Sequence, residues 1–215
     1  SETRPFEKEA YSKDESEMTL SEKHFYNRYL TEQKFFGNNN IIKANTLPIV
    51  YGDASLPSVE KTIKEFDPDI SFVFGSSIIR KNILPLVPNG AFINMHLGLS
   101  PYYRGHATNF WPFFNKELEY VGATLLHIDA GIDTGDVIAH IRPDFSADDD
   151  GHSAGCKTIL AGVNGMKKCM NIIRDGKELN RVKQWKEPNE KYYKRADFNE
   201  EVLKTYLNNL ENGLV

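Results

Sequence analysis

Three side chains able to handle a carbonyl group lie close together in the chain. Asn94 and His96 are one residue apart, and Asp133 follows the histidine by 37 positions. A carboxamide donates hydrogen bonds to an oxygen that gains negative charge, and an imidazole carries a proton near neutral pH. A carboxylate decides which ring nitrogen holds that proton. No covalent nucleophile is required, since one donor aimed at a developing oxyanion is worth roughly 10²–10³ in rate. Alternate residues of an extended strand share a face, so Asn94 and His96 are expected to converge, with Asp133 delivered from another strand's end. Taken singly, each residue has an ordinary reading: histidines after buried strands are mostly packed or capped, and Asn and Asp favour strand ends and turns. The joint pattern outweighs those readings. Asn94-Met-His96 is followed by Leu99-Ser-Pro101, then Tyr103-Arg104-Gly105, and later Asp133-Thr-Gly135.

This stretch, from Asn94 to Ile138, resembles the folate-dependent formyltransferases. They look like Asn-x-His-x-Ser-Leu-Leu-Pro, then Tyr/Trp-Arg-Gly, then Asp-x-Gly before an apolar strand. The matching positions are Asn94, His96, Leu99, Pro101, Tyr103, Arg104, Gly105, Asp133 and Gly135. Gly98 stands where many relatives have serine, and Ser100 replaces the second leucine; both departures leave the trio intact. The passage from Arg104 to Trp111 is more similar to the enzymes that formylate nucleotide-linked amino sugars. The resemblance is strong over residues 46–143.

It implies formyl transfer from 10-formyltetrahydrofolate to a primary amine, most closely that of a nucleotide-linked amino sugar. Asn94 would hold the oxyanion, His96 would act as donor and proton carrier, and Asp133 would relay the proton. The pterin would sit against Gly75, Ser77, Ile78, Ile79 and Arg80 and against the turn containing Ile128, Asp129, Gly131 and Ile132. For Ile78 and Ile79, ordinary core packing is the competing reading. Two other functions use the same residues: hydrolysis of 10-formyltetrahydrofolate, and folate binding without turnover in a truncated relative. An initiator-tRNA formyltransferase is disfavoured by the acidic balance and by the lack of an extra β-rich domain at the end of the chain.

The elements that must position these residues alternate. Short apolar runs at Leu47–Tyr51, Asp69–Gly75 and Ala91–Met95 read as strands, separated by a helix at Pro57–Phe66 and a helical turn at Ile79–Leu86. Such a succession implies parallel pairing with right-handed crossovers. Asp69–Gly75 has few polar groups, as a central strand covered on both sides would. A helix over His106–Asn115 is too aromatic to be exposed. Gly122–Asp129 and Asp136–Arg142 read as strands, and Ser153–Ile173 as a long helix weakened by Gly155, Gly162 and Gly165. A short strand at Arg181–Trp185 and a helix over Asn199–Leu210 close the chain. The fold class is therefore α/β: a Rossmann-like, mostly parallel sheet with helices on both faces and a small C-terminal strand–helix extension. No opening strand–helix unit is recognisable. Residues 1–45 read as a charged helical arm, 46–175 as the catalytic core and 176–215 as the extension. Within the arm, residues 1–18 read as loose, Thr19-Leu-Ser21 as a capping region, Phe25, Tyr29, Leu30, Phe35 and Phe36 as a helical apolar face, and Gly37–Asn40 as its stop.

Composition narrows the partners. The 215 residues are 40% hydrophobic, enough for a core, and the net charge of −4 weighs against a nucleic-acid surface. The longest apolar runs are too short to span a membrane, and no signal peptide opens the chain, so a cytoplasmic location is expected. Cys156 and Cys169 have no metal or disulfide spacing and read as buried reduced thiols on one helix. Asp148-Asp-Asp150 reads as a solvated turn leading to a helix rather than a cation site. The aromatic stretch Phe110–Phe114 and the C-terminal strand–helix are candidates for a homodimer surface.

Overall fold

The computed structural model of the chain describes residues 2–3, 14–37 and 43–213. A four-stranded central sheet has the order β3 (Ser71–Phe74), β4 (Phe92–His96), β6 (Ala123–His127), β7 (Val137–Ile141). β3 and β4 are parallel, with Val73 opposite Asn94. β4–β6 and β6–β7 are antiparallel. Two small parallel pairs flank the sheet: β1 (Glu2–Thr3) with β2 (Ile49–Val50), and β5 (Tyr103–Gly105) with β8 (Lys191–Tyr193). Parallel pairing thus prevails over the five ladders, as the α/β reading requires, but the β4–β6–β7 half of the central sheet is not parallel. For β6 and β7 the cause is loop length, since a parallel return needs a dozen or more residues and the turn between them is shorter. β4 and β6 are joined by a longer connection through β5, so loop length does not decide that pair. β3 lies at an edge of this sheet rather than at its centre.

Alternation along β4 assigns its side chains. Ile93 and Met95 are buried with Leu125, Ile138 and Cys169 beneath α4 (Gly151–Arg174). Phe92 points the other way, into a cluster with Ile83, Val87 and Ile63 of α2 (Pro57–Phe66). Asn94 and His96 share that second face, which opens into a cleft. The glycines of α4 do not break it: side chains at Gly162 and Gly165 would overlap Met95 and Ile141, so these positions let the helix lie close on the sheet. Asp150 caps the helix by accepting from the His152 and Ser153 backbone N–H groups, and the Asp149 side chain is not solvated as expected but buried in a pair with Lys157 at 2.6 Å. Cys156 and Cys169 are both buried on this helix without a disulfide.

The arm is not detached. α1 (Leu20–Phe36), capped by Thr19 and Glu22 in a reciprocal box, packs against α4 and α5 (Glu200–Glu211). With α1 lying between β1 and β2, a strand–helix unit does precede β2. Its two-residue strand, β1, carries no apolar run for a sequence reading to find. The inward face of α1 is only partly the aromatic one: Phe25, Leu30 and Phe36 are exposed and Tyr29 and Phe35 half-buried, whereas the His24 ring meets His152 at 4.5 Å. The looseness expected of residues 1–18 concerns mainly residues outside those described, as does the stop signal beyond Gly37.

The C-terminal elements complete a second core. Tyr103, Phe110, Trp111, Phe113, Leu203 and Tyr206 are buried together, and Trp111 stacks on Tyr193 at 3.8 Å with the rings 5° apart. The aromatic stretch is therefore covered by α5 and β8 of the same chain, which replaces the expected partner surface. The helix expected over 106–115 shortens to α3 (Trp111–Asn115), because Ala107 has φ +55° and breaks the helical path. The helical turn expected at Ile79–Leu86 is only a 3₁₀ turn at Leu84–Leu86. The strand expected at 181–185 shrinks to a bridge between Val182 and Val137. No helix among the described residues is long and apolar enough to cross a membrane.

Two measurements test this packing. Gly165→Leu forces side chain into the α4–sheet contact and is expected to destabilise the fold by about 1–3 kcal/mol, read by urea denaturation. Burial between α1 and α4, with His152 and Arg28 as neighbouring cations, pushes His24 down to about 3 and outweighs the opposing Asp150. Burial, together with Arg28, likewise lowers His152 against Asp150 and Glu32. Both rings are neutral when folded and protonate once unfolded, so stability is full above about pH 6.5 and falls as pH drops toward the lowered values. The Tm is expected to be lower at pH 5 than at pH 7.5, by a smaller margin in His24→Gln.

Candidate active site

Asp133 joins the trio. Its Oδ1 accepts from Asn94 Nδ2 at 2.9 Å, and its Oδ2 lies 3.3 Å from His96 Nδ1. Asn94 and His96 reach it from one face of β4, as their spacing requires, and Asp133 arrives in the turn between β6 and β7. The residue has φ +52°, left-handed backbone that a non-glycine residue rarely adopts. The next glycine is obligatory for a different reason: a Cβ at Gly135 would overlap the His127 carbonyl oxygen.

The other edge of His96 is also held. Its Nε2 is 3.1 Å from the Tyr103 carbonyl, an acceptor, so the ring donates there. His96 and Asn94 therefore do not converge on a free point; both turn to Asp133. The second Nδ2 hydrogen of Asn94 remains available to an oxygen in the cleft. Gly98, the departure noted in the sequence, is packed tightly: a Cβ there would come within 2.8 Å of both His96 Nε2 and Thr108 Cβ.

The trio lies in a cleft of about 410 Å³, within the range of small-molecule sites. Of the residues expected to hold a pterin, Gly75, Ser77, Ile78, Ile79, Ile128, Asp129, Gly131 and Ile132 line it. Ile78 is 64% exposed and so is not spent on core packing, whereas Ile79 lines the cleft and also packs against the Ile83 cluster, as its competing reading had it. Arg80 is the exception: it does not line the cleft, and its backbone N–H donates to Ser55 Oγ. Asp129 organises its own turn, accepting from Gly131 N–H and Thr134 Oγ1 at 2.9 and 2.8 Å.

Sequence reading missed Arg28. It stands on α1 and lines the cleft, as do His106, Ala107 and Thr108. Arg28 is the one lysine or arginine among the lining residues and is otherwise paired with Glu32 at 2.7 Å. An arginine in a charged helix carries no signal of its own; only the packing of α1 brings it here. His106 does not start a helix, and its N–H donates to the Tyr193 carbonyl at 2.8 Å. His127 and His140 are structural, facing the carbonyls of Asn180 and Ser100.

Comparison with known proteins gives a consistent picture. Residues 21–168 match the family model described as formyl transferase. Methionyl-tRNA formyltransferase from Geobacter metallireducens is 33% identical over 128 residues, 60% of this chain and 40% of that protein. The chain thus spans less than half the length of this curated relative. Among solved structures, the formyltransferase PseJ from Anoxybacillus kamchatkensis superposes with a TM-score of 0.53 at 24% identity, covering 68% of this chain and 72% of that one. It was solved with UDP-4,6-dideoxy-4-formamido-L-AltNAc and tetrahydrofolate. The N-formyltransferase from Helicobacter canadensis, in complex with folinic acid and dTDP-3-aminofucose, has a TM-score of 0.52 at 21% identity, covering 80% and 68%. Both structures share the fold.

The two glycines of the Asp133 turn separate backbone from side-chain crowding. Gly135→Ala meets a carbonyl that cannot move alone, and the expected loss is about 1–3 kcal/mol. Gly131→Ala meets only the Thr134 side chain, and the expected loss is smaller. Urea denaturation of the two variants side by side checks the order.

Proposed function

Starting from a chain that belongs to the formyl transferase family, we propose a cytoplasmic enzyme that moves a formyl group from 10-formyltetrahydrofolate to a primary amine on a nucleotide-linked sugar. Residues 46–175 form its catalytic core. The observation that carries this reading is the bridging of Asn94 and His96 by Asp133 inside a cleft lined by the expected pterin-binding segments.

The cleft fits the donor in chemical character. Ile78, Ile79, Ile128 and Ile132 offer apolar walls for a flat ring at the ends of strands. The bound formyl-folate supplies an electrophilic formyl carbon on a nitrogen that needs a proton to depart. Asn94 is oriented by Asp133 so that its second N–H meets the formyl oxygen as negative charge develops there. The Asp133 carboxylate takes the proton of the incoming amine and shares it with His96 Nδ1. It then returns the proton to the folate nitrogen as that nitrogen's bond to the formyl carbon breaks, so that tetrahydrofolate and the formylated amine leave. The Tyr103 carbonyl keeps the ring from turning away while it does so.

The acceptor is read from the cations of the cleft. Arg28 and His106 line the same cleft as the trio, and a guanidinium there suits the phosphates of a nucleotide sugar. The net charge of −4 suits a small anionic acceptor held by one local cation better than a nucleic acid held by a broad basic face. Two formyltransferases of the same fold were solved with nucleotide-linked sugars.

Tetrahydrofolate release from 10-formyltetrahydrofolate, measured with and without a panel of amino-sugar nucleotides, is the test. Release is expected only with an amine present. It should fall about 10²–10⁴-fold in His96→Ala and about 10²–10³-fold in Asn94→Ala. Amine-independent release would make the enzyme a hydrolase, and folate binding without release would remove catalysis from the reading.

A further inference from the structure

The stretch 180–193, C-terminal to the segment that matches the family model, grips the candidate site at several points. Val182 exchanges both backbone hydrogen bonds with Val137, at 2.7 and 3.0 Å, and lays the stretch beside the Asp133 turn. Gln184 Nε2 then donates to the Asp133 carbonyl at 2.7 Å and to the Gly135 carbonyl at 2.9 Å. Glu190 accepts from Arg104 Nη1 at 2.7 Å, and the Nη2 of the same arginine donates to the Ile132 carbonyl at 3.1 Å. Lys191 pairs at 2.8 Å with Glu117, which accepts from the Tyr103 hydroxyl; the carbonyl of Tyr103 holds His96. Three of these contacts bear on the trio: Gln184 on the Asp133 carbonyl itself, Arg104 on the adjacent Ile132 carbonyl, and Lys191, through Glu117, on Tyr103, whose carbonyl holds His96.

We propose that Gln184 is a positioning residue that holds Asp133 in register with Asn94 and His96. Its side-chain nitrogen carries two hydrogens and spans two carbonyls on either side of Thr134. Glutamate at this position has the same length but only acceptors, and it would face two more. With the clamp gone, Asp133 is free to leave its left-handed conformation, and its carboxylate then swings away from His96 Nδ1 and Asn94 Nδ2. Gln184 itself does not line the cleft, so its effect runs through Asp133 and not through ligand contact. The same web gives Arg104 a role its motif does not reveal, namely to tie Ile132 to Glu190.

This rests on the proposed transferase reading for its kinetic arm alone. Gln184→Glu and Gln184→Met are measured in the full chain. Expected is a fall in kcat of about 10–100-fold, as for misplacement of a catalytic group by about an ångström. KM for the formyl donor should stay within about twofold of the parent, since no donor contact is lost. The second arm needs no turnover: the ¹⁵N resonance of His96 Nδ1, assigned by its loss in His96→Gln, should shift in both variants. Unchanged kcat with an unchanged His96 resonance overturns the proposal. So does a loss of activity that tracks a lowered Tm while the resonance stays in place. Should the parent show no turnover with any amine, the transferase reading fails and the resonance alone decides the role of Gln184.

Discussion

Asp133 is the residue on which the site depends. It bonds Asn94 with one carboxylate oxygen and faces His96 with the other, so one side chain fixes two others that share a strand. That reach requires the turn after β6 to pass through φ +52°, which costs a non-glycine residue about 1–3 kcal/mol. The surrounding structure supplies the offset. Two hydrogen bonds from Gln184, at about 0.5–1.5 kcal/mol each, fall on carbonyls of this turn, and Asp129 braces its other limb through Gly131 and Thr134. Gly135 lets the turn close against the His127 carbonyl. The strained position is also the one proposed to take the amine proton.

The sheet supplies rigidity beneath that turn. α4 lies so close to β4, β6 and β7 that Gly162 and Gly165 have no room for a side chain, and Met95, Leu125 and Ile141 fill the contact. The face of β4 that α4 covers is apolar, and the opposite face ends in Asn94 and His96. A second buried cluster, built by α3, β8 and α5, anchors Tyr103 and through its carbonyl the far edge of the imidazole. Burial pushes the Tyr103 hydroxyl well above the usual range, reinforced by its hydrogen bond to Glu117, so it remains a neutral donor to that carboxylate. Burial opposes ionisation of Glu117 itself, but the Lys191 ammonium and the Tyr103 hydroxyl hold its carboxyl below the ordinary value. The C-terminal residues thus behave as part of the site's frame.

Much of this was legible before folding. Period-two spacing placed Asn94 and His96 on one face because strand geometry leaves no choice, and Asp133-Thr-Gly135 announced a turn because few residues tolerate one. Strand positions held within a few residues, as did α2, α4 and α5. Boundaries failed where tertiary contacts override local preference. The aromatic run 106–115 is half loop because Ala107 adopts a left-handed conformation, and Arg80 leaves the cleft although its neighbours line it. The short strands β1, β5 and β8 escaped notice because two or three residues carry no periodicity.

The residues of the chain by themselves determined the chemistry on offer: a carboxamide, an imidazole and a carboxylate at spacings that strands and a glycine turn must bring close. Local geometry is enough for that, since the pleat and the turn are set by neighbours in sequence. Tertiary structure alone decided that His96 turns its Nε2 to Tyr103, that Arg28 of the charged helix lines the cleft, and that Gln184 clamps Asp133 from 51 residues away. Those contacts join segments with no shared periodicity, and they exist only because the buried faces of α1, α4 and α5 pack where they do.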